Sequence, residues 1–276
     1  MIELGIVDIR EIIRLLQNNF NYDFSSLALT SFKYRLEHVI AKNNLNSAES
    51  LYRKLIDQPD FFSTFIHQVC VPSTEMFRDP SLWRWMRESY VPELDDKQLI
   101  NFKIWLPYCV SGGELYSLAI FLKELDLLDK VKIYATSFSH KSIDYIKSGH
   151  YPFKKIEISQ ENYKRYKGTD EFVNYYKEDK YNAIRDTSLI KNVEFITDDF
   201  NFNNAPKNVK LILMRNVLIY FNPNHQDKVT KIIHENLSAS GTFIIGLKEQ
   251  IRTNTNGQTL FEPVNINESV YKRKIV

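Results

Sequence analysis

The stretch Val209–Val229, VKLILMRNVLIYFNPNHQDKV, constrains the fold more than any other part of the chain. Its first part, Val209–Met214, is an apolar, β-branched run typical of a strand buried on both faces. Arg215 and Asn216 interrupt the run, and a second apolar run, Val217–Phe221, follows at once. In an open α/β sheet the carboxyl ends of the strands are where ligands bind, and unpartnered polar groups there are costly. The pattern therefore predicts a ligand site at Arg215, but an arginine satisfied by local carbonyls beneath a loop fits the spacing equally well.

Strands and helices alternate from about residue 100 onward, which predicts a parallel sheet. The predicted strands are Phe102–Leu106, Val131–Thr136, Val193–Thr197, Val209–Met214, Thr242–Leu247 and Ser269–Lys274. Helices are predicted at Tyr116–Leu125, from Ser139 to Gly149, and from Pro223 through an apolar stripe ending at Leu237. The glycine-rich turn Ser111–Glu114 between the first strand and helix suits a nucleoside-bearing cofactor, although a lone GG turn is not specific.

Residues 1–70 show helical periodicity, with one apolar stripe at Ile9, Ile12, Ile13 and Leu16 and another at Phe32, Leu36, Val39 and Ile40. Asn46 and Glu49 are predicted to form a capping box before a third helix. The basic positions of this region are predicted to form a solvated face rather than a docking surface: Arg10, Arg14, Lys33, Arg35 and Lys42. Further along, Asp79 and Pro80 are placed as the N-cap and first turn of a helix.

Residues 150–192 fit the alternation poorly and are rich in tyrosine and lysine, so we predict an inserted subdomain there. Aromatic rings among lysines are able to stack on single-stranded nucleic acid, but an amphipathic insert or a protein-docking lobe is the favoured interpretation. The predicted division is therefore a helical domain at 1–75 and an α/β domain at 76–276, with 150–192 inserted.

The bulk composition is that of a water-soluble globular protein, with 43% hydrophobic and 25% charged residues. The net charge of +2 does not argue for nucleic-acid binding over the whole surface, but it leaves a local basic patch open. Cys70 and Cys109 occur in no metal or redox spacing and are predicted to be reduced, buried thiols in a cytoplasmic protein. No metal site, signal peptide or membrane span is predicted.

With these segments laid out, the chain resembles the CheR family, the chemotaxis-receptor methyltransferases. MRNVLIYF at 214–221 is similar to the family's CRNVLIYF, and GLKE at 246–249 to its GHSE. TEMFRDP at 74–80 is similar to TxFFRDP, and SGGELYSLAI at 111–120 to STGEEPYSLAI. The resemblance implies a Rossmann-like methyltransferase sheet, with a helical N-terminal domain and a small inserted subdomain. It implies transfer of a methyl group from S-adenosylmethionine to receptor glutamates, leaving S-adenosylhomocysteine.

The resemblance also implies roles for individual residues. Arg78 and Tyr220 are expected to act in catalysis, Arg78 by aiming the carboxylate and Tyr220 near the methyl group. Glu114 is expected to accept the amino group of the methionine moiety. The residues implied to bind the cofactor are Thr74, Arg78, Glu114, Ser137, Asp199, Phe200, Arg215 and Asn216.

The chain departs from the family pattern at several positions. Ser137 stands where the family has an acid that accepts from both ribose hydroxyls, and Gly113 replaces the first Glu of GEE. Asp199 replaces an Asn expected near the adenine, and Gly168 is the one glycine in a lobe where receptor-tethering members have several. These departures keep open a second interpretation, a scaffold or sensor that binds the cofactor weakly or not at all. A methyltransferase of nucleic acids or small molecules is a third, but no [DNS]PP[YF] segment supports it. The expected partner is a methyl-accepting chemoreceptor or a related signalling protein.

Overall fold

The N-terminal part of the chain is a bundle of four helices. The computed structural model describes residues 3–70, 75–95, 99–179, 182–252 and 259–275. The four helices are α1 (Ile6–Phe20), α2 (Leu29–Lys42), α3 (Ala48–Asp57) and α4 (Phe61–Val69). Both predicted stripes face the core, except that Ile13 is only partly buried. The predicted capping box was one residue off. Ser47 Oγ accepts from the Ser50 backbone amide at the start of α3, and Ser50 Oγ accepts from the Ser47 backbone amide.

A short connection leads from the bundle to the sheet. It contains α5 (Pro80–Trp85), a π-helical turn at Met86–Tyr90 and a 3-10 turn at Val91–Glu93. Asp79 occupies the N-cap position of α5 with φ of +54°, but its side chain makes no capping bond. The prediction of an Asp79 cap was therefore wrong in its chemistry, because this carboxylate binds another partner, described below.

The main sheet has seven strands in the order β6-β2-β1-β7-β8-β10-β9. These are β1 (Lys103–Leu106), β2 (Lys132–Ser137), β6 (Glu194–Thr197), β7 (Val209–Met214), β8 (Leu237–Ile245), β9 (Phe261–Asn265) and β10 (Val270–Arg273). The first five in spatial order are parallel, and β10 and β9 are antiparallel additions at one edge. The predicted parallel sheet is confirmed, and β7 has the predicted bounds.

Three helices connect the parallel strands: α6 (Gly113–Glu124), α7 (His140–Lys147) and α9 (Pro223–Asn236). Leu237 was predicted to continue the last helix but instead begins β8, where it pairs with Val209. Strand β8 also stops at Ile245 rather than Leu247, because the amide of Gly246 binds the Glu249 carboxylate instead of continuing the strand.

A small lobe occupies the segment for which the sequence predicts an insertion. It consists of β3 (His150–Pro152), α8 (Phe153–Tyr166), β4 (Tyr176–Asp179) and β5 (Asn182–Arg185), and its strands form an antiparallel sheet in the order β3-β5-β4. Tyr163, Tyr166 and Tyr175 are buried in it rather than exposed. The hydroxyls of Tyr163 and Tyr166 donate to Glu124 at the end of α6. These rings therefore hold the lobe to the sheet domain, which leaves them unable to stack on nucleic acid.

Candidate active site

The site lies where the parallel strands end. The carboxyl ends of β1, β2, β6, β7 and β8 share one edge of the sheet because these strands run in the same direction. Arg215 follows β7, Gly246 follows β8, and the turn Ser111–Glu114 follows β1. Ligands of open α/β sheets bind at this edge.

Arg215 is the centre of a charged cluster. Its guanidinium is buried, with the residue 4% exposed. Nη1 donates to Glu114 Oε1 at 2.7 Å, and Nη2 donates to Asp79 Oδ2 at 2.6 Å and to the Arg78 carbonyl at 3.0 Å. The interpretation with local carbonyls alone was wrong, because two carboxylates from distant parts of the chain hold this arginine. Charge-assisted bonds of this kind offset the cost of burying the charge.

Glu114 opens helix α6 beside this cluster. Burial raises the pKa of the Glu114 carboxyl above its ordinary value, and the Arg215 guanidinium partly opposes that rise. Gly112 precedes the helix with φ of +78°, and a Cβ there would lie 3.0 Å from the Ile146 side chain. Only glycine fits this turn, which therefore brings Glu114 to the strand ends.

Asn216 and Glu249 join the ends of β7 and β8. Asn216 has φ of +57°, and its backbone amide donates to Glu249 Oε2 at 2.8 Å. The same carboxylate accepts from the amides of Gly246 at 2.7 Å and Ile219 at 3.3 Å. The Nδ2 of Asn216 is buried and has no hydrogen-bond partner among the described residues. A buried donor without a partner is rare in folded proteins, so it is available to a polar ligand.

Arg78 contributes its backbone to the cluster but not its side chain. Its carbonyl accepts from Arg215 and from Trp83 Nε1 at 3.1 Å. The side chain is 39% exposed, and its Nε lies 3.8 Å from Glu75 Oε1. Phe77 and Asp79 on either side both have positive φ, a strained arrangement for residues other than glycine. Arg78 is thus anchored at its backbone while its guanidinium faces outward.

Tyr220 lies in a 3-10 turn at Leu218–Tyr220, beneath helix α2 of the bundle. The guanidinium carbon of Arg35 is 4.2 Å from the centroid of the Tyr220 ring. Arg35 is 9% exposed, so the prediction that it belongs to a solvated face was wrong. Its position three residues after Phe32 in the buried stripe was the signal that identifies it as inward-facing.

Ser137, Asp199 and Phe200 follow or end strands β2 and β6, away from the described hydrogen bonds of Arg215. Ser137 is fully buried, and its Oγ has no hydrogen-bond partner. Asp199 accepts from the amide of Asn201 at 2.8 Å and from its Nδ2 at 3.0 Å. Phe200 is buried and packs on Phe138 with ring centroids 4.7 Å apart. Thr74 lies outside the described residues.

Comparison with known proteins identifies the family. Residues 72–267 match the model of the CheR methyltransferase SAM-binding domain, and residues 7–70 match the CheR methyltransferase all-alpha domain. The chain belongs to the CheR methyltransferase family. It is an S-adenosylmethionine-dependent methyltransferase, and nothing in the comparisons supports the scaffold interpretation.

Relatives of this CheR chain match it over nearly its whole length. The chain is 31% identical to Cher3 of Pseudomonas putida over 97% of each protein. It is 24% identical to a chemotaxis protein methyltransferase of Borreliella burgdorferi, over 90% of each protein. A chemotaxis protein methyltransferase of Listeria innocua is also 24% identical, over 86% of this chain and 88% of the relative.

The residues at the strand ends suit the functional groups of S-adenosylmethionine. The cofactor carries an ammonium group, a carboxylate, two ribose hydroxyls and an adenine, so it needs both acceptors and donors. Glu114 supplies an acceptor of negative charge, and the unpartnered Nδ2 of Asn216 and Oγ of Ser137 supply polar atoms with unused hydrogen-bonding capacity. The chemistry of this donor set fits the cofactor.

Sequence reasoning missed the functional importance of three residues. Asp79 was assigned to a helix cap but holds Arg215, and Arg35 was assigned to the surface but covers Tyr220. Glu249 was noted only as part of a motif, yet its carboxylate accepts from three backbone amides. An acid two residues after the end of the predicted strand Thr242–Leu247 was the available signal for Glu249.

No helix in the described part of the chain combines the length and apolarity needed to cross a membrane. Within the same ranges, no group of His, Cys, Asp and Glu side chains is arranged to hold a metal ion. Cys70 and Cys109 are free and buried, as predicted.

Proposed function

We propose that this enzyme methylates glutamate carboxylates of a chemoreceptor-like signalling protein. Two relatives across most of the chain are named chemotaxis protein methyltransferases. The observation that carries the proposal is the outward-facing guanidinium of Arg78, whose backbone is bonded to the Arg215–Glu114 cluster. A partly exposed guanidinium beside this cluster, with Glu75 Oε1 3.8 Å from its Nε, suits an incoming carboxylate that displaces the longer contact.

Different residues hold the methionine end and the nucleoside end of the cofactor. Glu114 and the Nδ2 of Asn216 hold the methionine end of the cofactor, and Arg215 orients Glu114 and partly opposes the rise of its pKa on burial. Ser137, Asp199 and Phe200 line the nucleoside end. Thr74 is included on the family resemblance alone.

The reaction requires no general base, because a glutamate carboxylate is already ionised at neutral pH. S-adenosylmethionine supplies a methyl group on a sulfonium: the carboxylate oxygen forms the new C–O bond while the C–S electron pair returns to sulfur. Arg78 aims the carboxylate and Tyr220 shapes the line of attack, so the protein contributes positioning and exclusion of water. The proposed compartment is the cytoplasm, where Cys70 and Cys109 stay reduced.

The test is methyl transfer from labelled S-adenosylmethionine to a helical fragment of a chemoreceptor. Glutamyl methyl esters release methanol in base, whereas N-methyl groups do not, so base-labile label identifies the acceptor. We expect Arg78→Lys to retain affinity for S-adenosylhomocysteine but to lose transfer by on the order of a hundredfold, because lysine does not reproduce the two parallel bonds of a guanidinium.

The matched control is Arg53→Lys, since Arg53 is an exposed arginine on α3 whose ion partner is Glu49. It should transfer at the wild-type rate. Base-stable label, or an unchanged rate in Arg78→Lys, contradicts the proposal.

A further inference from the structure

Tyr22 is a buried tyrosine whose hydroxyl has no hydrogen-bond partner in the part of the chain that the structure describes. It follows Asn21, which ends α1 with φ of +52°, and its amide donates to the Leu16 carbonyl at 3.2 Å. The residue is 8% exposed, and the hydroxyl has no hydrogen-bond partner. A phenylalanine would fill the same space without an unpaired polar atom, so packing alone does not account for the hydroxyl.

The Tyr22 ring lies against the nucleoside end of the site. It packs edge-on against Phe200 with centroids 5.9 Å apart, and Phe200 in turn packs on Phe138, which directly follows Ser137. Tyr108, in the loop after β1, also packs on Phe138, with centroids 4.9 Å apart. Tyr22 therefore brings a hydroxyl from the helical bundle to the ends of β1, β2 and β6.

The surroundings keep this hydroxyl protonated. Burial raises the pKa of Tyr22 well above its ordinary value, and Cys70, Asp199, Tyr108 and Asp198 raise it further. A protonated phenol both donates and accepts a hydrogen bond, as a ribose hydroxyl or an adenine requires of its partner.

A second buried hydroxyl without a hydrogen-bond partner among the described residues lies in the same region. Ser137 Oγ is fully buried and has no partner, at the strand end where the family resemblance places an acid for the ribose. Serine offers one neutral acceptor where the acid offers two oxygens, so the nucleoside needs a further polar contact. Among the residues packed around Phe200 and Phe138, Tyr22 has the unpartnered hydroxyl able to supply it.

We propose that Tyr22 is a binding residue for the adenosine moiety of S-adenosylmethionine, contributed by the helical bundle and complementing Ser137. Both hydroxyl oxygens are buried in this structure. The inference concerns binding of the cofactor and not of the methyl acceptor. A failure of the glutamate proposal would therefore leave it unaffected.

The experiment is calorimetric titration of the full-length protein with S-adenosylhomocysteine and with 5′-methylthioadenosine, which has the nucleoside but no amino-acid end. We expect Tyr22→Phe to weaken both ligands by the same factor, about tenfold for one neutral hydrogen bond. The ligand-free variant should unfold at the same temperature as the wild type or higher, because an unpaired buried hydroxyl has been removed.

The matched control is Tyr34→Phe on α2, since that tyrosine is 74% exposed. It should leave both affinities unchanged. Affinities within twofold of the wild type in Tyr22→Phe overturn the proposal. So does a loss confined to S-adenosylhomocysteine, which would place the contact at the amino-acid end. A weaker affinity that comes with a lower unfolding temperature also overturns it, because Tyr22 would then be a packing residue.

Discussion

Arg35 of helix α2 covers the aromatic face of Tyr220, with the guanidinium carbon 4.2 Å from the ring centroid. Arg35 Nη1 donates to the Val69 carbonyl at 3.2 Å, and its Nη2 has no hydrogen-bond partner. The backbone reinforces this contact, since the Ala28 amide donates to the Tyr220 carbonyl at 2.8 Å. The helical bundle therefore holds in place the turn that carries the proposed catalytic tyrosine.

We expect Arg35→Met to lower methyl transfer by on the order of tenfold while S-adenosylhomocysteine affinity stays unchanged. Methionine keeps most of the volume but removes a desolvated cation–π contact worth about 2 kcal/mol, so the Tyr220 ring loses its fixed orientation. Single-turnover rates with labelled cofactor, together with calorimetry, separate the two effects. Arg53→Met, at an exposed position, is the control. An equal loss of rate and cofactor affinity would show that Arg35 acts on the fold rather than on Tyr220.

Glu114→Gln tests the proposed contact with the cofactor's ammonium group. Removing the charge while keeping the shape should weaken S-adenosylhomocysteine binding by about 1–3 kcal/mol, the usual range for a charged hydrogen bond. Because burial raises the pKa of Glu114, wild-type affinity should fall as the pH is lowered towards that raised pKa. The Gln variant should lack this dependence. Calorimetry at several pH values measures both effects, with exposed Glu157→Gln as the control.

A drop in unfolding temperature with unchanged affinity in Glu114→Gln would give Glu114 a different role. It would then be an acid at a helix N-terminus, stabilised by the helix dipole and by Arg215.

Ser137→Asp should tighten S-adenosylhomocysteine binding by about ten- to a hundredfold, because a carboxylate accepts from both ribose hydroxyls. The ligand-free variant should be less stable than the wild type, since position 137 is fully buried and a charge there is desolvated. Ser137→Asn keeps the size without the charge and should show little of the gain. A folded Asp variant with wild-type affinity would remove position 137 from ribose binding.

Because His225 is buried, we expect the protein to lose stability in mild acid. The pKa of His225 is lowered chiefly by burial, with Lys228 adding to the effect and the Phe200 carbonyl opposing it. In mild acid, His225 therefore binds fewer protons in the folded state than in the unfolded state. The neutral side chain contributes fully to the free energy of unfolding above the ordinary histidine pKa of about 6.5. That contribution is lost as the pH falls from there towards the lowered pKa. Urea unfolding at pH 7.5 and pH 5.5 should show a smaller difference in His225→Gln than in the wild type.

His140→Gln, at an exposed position, is the control and should retain the wild-type difference between the two pH values. An undiminished difference in His225→Gln would mean that other groups account for the acid sensitivity.

Local sequence determined the elements and the family. The run Val209–Met214 folds into a strand with the predicted bounds because an apolar, β-branched run of six residues is stable only where both faces are covered. Alternating strands and helices sufficed for the parallel sheet, since a parallel connection needs a helix between strands. Four motifs in the family's order, at 74–80, 111–120, 214–221 and 246–249, led to the methyltransferase assignment, which the family match confirmed.

Tertiary structure alone decided which partner each polar group takes. Asp79 was free to cap its own helix but binds Arg215, 136 residues away, because a buried guanidinium gains more from a carboxylate than a helix end gains from a cap. Leu237 leaves its helix because Val209 provides a strand partner. Arg35 faces Tyr220, and the Glu249 carboxylate accepts from the backbone amides that follow strands β7 and β8. Apart from the Gly246–Glu249 bond, each of these contacts joins residues far apart in sequence, so periodicity and local propensity carry no information about it.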